Sequence, residues 1–79
     1  MSAETGNLGK SIRTTRELGA LVRSVRKAQG LTQLDVAGLA GMSNRFVIDL
    51  EKGKETLQMQ KVFEVMNLLG LEVNIRRIG

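Results

Sequence analysis

Apolar positions along this chain recur at helical spacing in four segments and then switch to alternation. Leu18, Leu21, Val22 and Val25 mark a first helix of about Thr15–Gln29. Thr14 or Thr15 can cap its start, Glu17 stands three residues after Thr14 as in a capping box, and Gly30 can stop it. Thr32, with Asp35 three residues on, caps a second helix whose buried side is read as Leu34, Ala37 and Leu39–Ala40. Gly41 falls where a turn wants φ > 0, followed by Met42. Ser43 caps a third helix that ends near Lys52–Gly53 and turns Val47 and Leu50 inward. Thr56 is expected to cap a fourth, about Leu57–Leu69, with the stripe Leu57, Val62, Val65, Met66 and Leu69, and Gly70 ends it. Beyond it, Leu71, Val73 and Ile75 alternate with Glu72, Asn74 and Arg76, which is strand spacing.

A lone strand cannot satisfy its own backbone groups, and no second strand candidate exists in the sequence. The expected partner is the same strand of a second copy, paired antiparallel about a two-fold axis. The chain divides into a polar, flexible arm over residues 1–10, an all-α domain of four to five helices over 11–70, and a dimerisation strand over 71–79.

Size and composition narrow the chemistry. Seventy-nine residues make one small core, and there is no cysteine to reinforce it, so oligomerisation is expected. With neither Cys nor His, the usual zinc ligands and most nucleophile–base pairs are missing; no metal or cofactor is expected. Asp35, Asp49, Glu51 and Glu55 are spaced for caps and ion pairs, with no activated nucleophile beside them, which argues against an enzyme. Met42, Met59 and Met66 read as core filler. No apolar run approaches the roughly 18 residues of a membrane span and no signal-peptide core follows Met1, so a cytoplasmic protein is the simplest expectation. The net charge is +4, and Lys10, Arg13, Arg16, Arg23, Arg26 and Lys27 all precede the second helix. That bias suits phosphate contacts and steered association with nucleic acid.

Three features then converge between Gln33 and Glu51. Ala37 is small where two helices cross, Gly41 permits the turn, and the third helix carries Asn44, Arg45, Ile48, Asp49 and Lys52 on the side away from Val47 and Leu50. A short helix with such a face, in a basic chain, is built to enter a DNA groove. With "RKAQGLTQ", the Ala37/Gly41/Val47/Leu50 frame and "DLEKGK", the chain from Leu18 to Val73 resembles the helix-turn-helix family of phage repressors and xenobiotic-response-element regulators. The ending "LLGLEVNIRRIG" is similar, more narrowly, to that of HipB-like antitoxins.

The resemblance implies a sequence-specific repressor that binds a palindromic double-stranded operator as a homodimer. It implies an antitoxin that also binds a HipA-like serine/threonine kinase toxin and regulates its own operon. The third helix would lie in the major groove with Asn44 and Arg45 at the base edges, Asn suited to adenine and Arg to guanine. Asp49 can accept from cytosine or orient Arg45; a carboxylate near phosphates favours the orienting role. Ile48 can meet a thymine methyl. Gln33 and Ser43 are candidates for phosphate contacts, Ser43 doubling as a cap, and Lys52 and Lys54 for the backbone. Arg26 and Glu51 occupy the positions of a structural ion pair. Phe46 departs from the small or polar residue usual there and packs over the first helix or against the DNA backbone; packing is favoured. Leu71, Val73 and Ile75 form the dimer strand. Two other functions fit the residues: a stand-alone regulator without a toxin, and a protein-interaction module.

Overall fold

The computed structural model describes residues 11–79, and the expected N-terminal arm over 1–10 lies outside them. Local capping chemistry sets most helix boundaries. In α1 (Thr15–Ala28), the Thr14 hydroxyl accepts from Glu17 N–H at 3.0 Å and Glu17 Oε1 accepts from Thr14 N–H at 3.1 Å. Thr32 and Asp35 make the same reciprocal box for α2 (Gln33–Ala40), at 3.0 and 2.9 Å. The Thr32 backbone N–H holds the Asp35 carboxyl below its ordinary range. Ser43 Oγ accepts from Phe46 N–H at 3.1 Å and opens α3 (Asn44–Lys52).

The start of α4 (Met59–Leu68) departs from the expected one. Gln58 precedes it without a side-chain cap, and Thr56 lies in a turn further upstream. Leu57 is packed against the core before the helix begins, so the chain is anchored there and turns helical two residues later.

The helix ends share one closure. Leu31, Met42, Lys54 and Leu71 donate their N–H back to the carbonyls of Arg26, Ala37, Asp49 and Met66, at 3.2, 2.8, 3.0 and 2.8 Å. Leu31, Met42 and Leu71 then seat on the core, whereas Lys54 is exposed. Gly41, between α2 and α3, has φ 69°, the left-handed backbone expected of the turn.

Among the described residues there are four helices and no strand. α1 packs on α3, and α2 packs on both α3 and α4. The core is Val22, Val36, Ala37, Val47, Leu50, Val62, Val65, Met66 and Leu69. On α2 the buried side differs from the expected one. Val36 and Ala37 face inward with Ala40 half-buried, while Leu34 and Leu39 are 68% and 65% exposed. This two-turn helix is apolar nearly all round, so periodicity selects no face; its packing on α3 and α4 does. Met59 is also exposed rather than core filler, because α4 buries Val62, Val65 and Met66 and turns Met59 outward. Met66 is buried and Met42 half-buried.

Gly19, which the apolar pattern did not single out, sets the closest helix approach. A methyl group added there would collide with the Leu50 carbonyl oxygen and lie 2.6 Å from that of Glu51. α1 therefore crosses the end of α3 almost backbone to backbone. Gly19→Ala should lower stability by about 1–3 kcal/mol through overpacking, read as a fall in the denaturation midpoint at unchanged slope. Next to this crossing, Thr15 Oγ1 donates to the Gly53 carbonyl at 2.7 Å, tying the start of α1 to the end of α3.

Candidate nucleic-acid interface

α3 has two faces with separate tasks. Val47 and Leu50 are buried, and half-buried Phe46 is packed against the same core. On the opposite side Asn44, Lys52 and Ser43 are exposed, Ile48 is half-buried, and the Arg45 side chain is 71% exposed. Asn44 and Arg45 stand on the first turn, where the backbone N–H groups also point outward. The structure thus puts Ser43, Asn44, Arg45, Ile48 and Lys52 on one side of the helix, clear of the core.

Behind that face, Arg26 and Glu51 form a fork. Arg26 Nε lies 2.6 Å from Glu51 Oε2, and Nη2 lies 3.0 Å from Oε1. The third nitrogen, Nη1, donates to the Leu31 carbonyl at 2.7 Å. Both side chains are more than nine-tenths buried. The hydrogen bond to Glu51 raises the Arg26 pKa above its already high ordinary value, with burial working the other way. A bidentate, desolvated pair of this kind fixes α1 to the last turn of α3.

Gln33 joins the same cluster. Its amide nitrogen donates to Glu51 Oε1 at 3.0 Å, and the residue is half-buried. The spacing of residues did not suggest this bond; it spans 18 positions and appears only once α2 and α3 are docked. One amide hydrogen remains for a ligand. Gln33 also borders an open concavity of about 640 Å³, lined by Arg23, Arg26, Lys27 and the Gly30–Thr32 loop. Arg23 and Lys27 are exposed there, so positive charge brackets the start of α2.

Asp49 is paired on both sides. Its Oδ1 lies 3.6 Å from Arg45 Nη1, and its Oδ2 lies 3.6 Å from Lys54 Nζ. The second contact was also not evident in the sequence, since it depends on how the chain leaves α3 at Gly53. Residues 71–79 make no backbone ladder within the single chain. Leu71 is half-buried on the core, while Val73 and Ile75 are 49% and 92% exposed. Among the described residues no helix is long and apolar enough to cross a membrane, and no acidic cluster has the makeup of a metal site.

Two short helices joined through a left-handed glycine, the second with a polar face turned to solvent, define a helix-turn-helix domain. The helix-turn-helix family model matches residues 22–75, and the chain belongs to that family. It is 48% identical over 72 residues to an uncharacterized HTH-type transcriptional regulator, y4mF, of Sinorhizobium fredii, covering 91% of this chain and 95% of the relative. It is 29% identical over 63 residues to the ImmF control region 10 kDa protein of Bacillus phage phi105, covering 80% of this chain and 70% of that one. A chain of the solved HipA–HipB–O2–O3 complex superposes with a TM-score of 0.81 at 18% identity, over 90% of this chain and all of the other. The restriction-modification controller protein C.AhdI of Aeromonas hydrophila superposes with a TM-score of 0.65 at 26% identity, over 73% and 84%. The chain is a helix-turn-helix transcriptional regulator of the xenobiotic-response-element type. That class binds DNA and is not a class of enzymes.

Proposed function

We propose that the chain is a homodimeric repressor that reads a palindromic operator through Asn44 and Arg45, and that it is the antitoxin of a HipA-like kinase. The observation that carries the DNA reading is the outward face of α3. Its first turn offers an exposed amide and an exposed guanidinium, while Arg26 and Glu51 are buried in the fork behind it. Gln33 and Ser43, with Lys52 and Lys54, hold phosphates on either side of the groove, and Ile48 meets a thymine methyl.

The described chain has a longest extent of 37 Å and one recognition helix, and an operator of two half-sites needs two such helices about 34 Å apart. Residues 71–79 supply the link, with Leu71, Val73 and Ile75 on one side of the strand. Met59, Phe63 and Leu68 leave apolar surface on α4 for the partner's strand to cover. The antitoxin role is supported by the likeness, over 90% of this chain, to a member of a complex that contains HipA, and operator binding by the likeness to HipB solved with a 20mer. The stand-alone regulator is the alternative, favoured by a relative named only as a transcriptional regulator. Presence of a kinase gene in the same operon, and its co-purification with the chain, separates the two. The work is done in the cytoplasm, where the operon is transcribed.

Arg45→Ala should weaken operator binding by about 1–3 kcal/mol and relax the preference at one base pair, whereas Gln33→Ala should weaken all sequences evenly. A titration of both variants against single-base operator variants at fixed salt checks this. Unchanged operator affinity in Arg45→Ala would move base reading to another face.

A further inference from the structure

The recognition helix carries one carboxylate between two cations, and the fold holds all three together. The Asp49 side chain is 18% exposed, against 71% for Arg45 and 52% for Lys54. Both pairs stand at 3.6 Å, ion-pair distances that are too long for hydrogen bonds, so neither cation is locked. Lys54 is brought there by its own backbone, whose N–H closes α3 on the Asp49 carbonyl at 3.0 Å. The residues at the same place after α1, α2 and α4 are Leu31, Met42 and Leu71, all seated on the core. Among the described helices, that place is given to a charge only after α3.

We propose that Asp49 determines specificity by suppressing binding to non-operator DNA, and that Lys54 competes for its charge and works in the opposite direction. The proposal rests on the reading that Arg45 contacts a base. A guanidinium has five donors in a fixed fork, so Arg45 can give two to a guanine and keep one on Asp49. At the operator the pair stays intact. On other DNA the best partner for Arg45 is a phosphate, and reaching it means leaving Asp49. A half-buried carboxylate then faces the DNA backbone with one cation fewer, a like-charge juxtaposition that disfavours the complex. Lys54, whose ammonium has three donors and is not locked, softens that penalty by staying beside Asp49 while it also meets a phosphate. Asp49 therefore widens the gap between operator and other sequences, and Lys54 narrows it.

The test uses the full chain and two duplexes, one selected by the wild-type protein from a random pool and one a shuffle of it, titrated over a range of salt. Asp49→Asn, nearly isosteric, should bind the shuffled duplex more tightly, with a salt dependence steeper by about one phosphate contact. The operator-to-shuffled ratio should fall by about tenfold. Lys54→Ala should bind the shuffled duplex more weakly, with a salt dependence shallower by about one contact, and its ratio should rise. Opposite movements of the ratio, with melting temperatures close to wild type, establish the proposal. If Asp49→Asn loses operator affinity at one cytosine and leaves the shuffled duplex unchanged, Asp49 is a base acceptor and the proposal is wrong. If both variants move the two duplexes in parallel, it is also wrong. Arg45→Ala is the separate control: a ratio equal to wild type there overturns the base-reading assignment itself, whatever Asp49 does.

Discussion

Glu51→Ala should destabilise the domain by about 3–5 kcal/mol, because it leaves the Arg26 guanidinium buried without its counter-charge. Arg26 gives two nitrogens to Glu51 and a third to the Leu31 carbonyl, and its side chain is more than nine-tenths buried. For a small domain, whose total stability is about 5–15 kcal/mol, that loss brings the folded state close to its limit. The double variant Arg26→Met/Glu51→Leu should recover much of the loss, since two apolar side chains of similar length fill the space without a stranded charge. Recovery should fall short of complete, because the Leu31 carbonyl loses a donor and Gln33 loses its acceptor. Denaturant titrations of the two single variants and the double variant form a cycle. A coupling free energy near zero would mean that the fork contributes nothing as a pair.

Removing residues 71–79 should leave a largely monomeric chain at micromolar concentration and weaken operator binding by about 10²- to 10⁴-fold. The loss comes from tethering: one half-site bound by a dimer presents the second recognition helix to the second half-site at high local concentration, and a monomer does not. Nothing in α3 is touched, so the base preference of the residual binding should stay that of the intact chain. The helices should survive in part, because only Leu71 of the removed residues is packed against the core. Sedimentation and a DNA titration on the same truncated protein decide it. A truncated chain that remains dimeric and binds at full strength would remove the terminal segment from the account of DNA binding.

What could be read in the sequence was mostly local. The capping boxes of Thr14–Glu17 and Thr32–Asp35, the Ser43 cap and the left-handed Gly41 involve residues within a turn of one another, and their chemistry is written in the residue types. The inward face of α3 was legible because Val47 and Leu50 stand at helical spacing opposite Asn44, Arg45 and Lys52. α2 was not, because Leu34, Val36, Leu39 and Ala40 offer apolar side chains in every direction and only docking chooses among them. The start of α4 was misplaced because Thr56 looks like a cap, while the burial of Leu57 decides where the chain can turn. At the interface, the residue types of the α3 face were visible, but the bonds that tie Gln33 to Glu51 and Lys54 to Asp49 come from the arrangement of whole helices. Gly19 left one trace, an isolated glycine inside a helical pattern, but Gly38 leaves the same trace in α2 with open space around it, so only the docked helices tell the two apart.

Gly19 lets the backbone of α1 rest on that of α3, so the two helices meet through atoms that every amino acid shares. The junction is therefore indifferent to what the outer side chains of α3 are. Asn44, Arg45 and Lys52 are exposed and lie outside the core, with Arg45 in an ion pair with Asp49. On the base-reading proposed above, a change at a few of these surface positions would give a new DNA address while the Gly19 junction stays as it is.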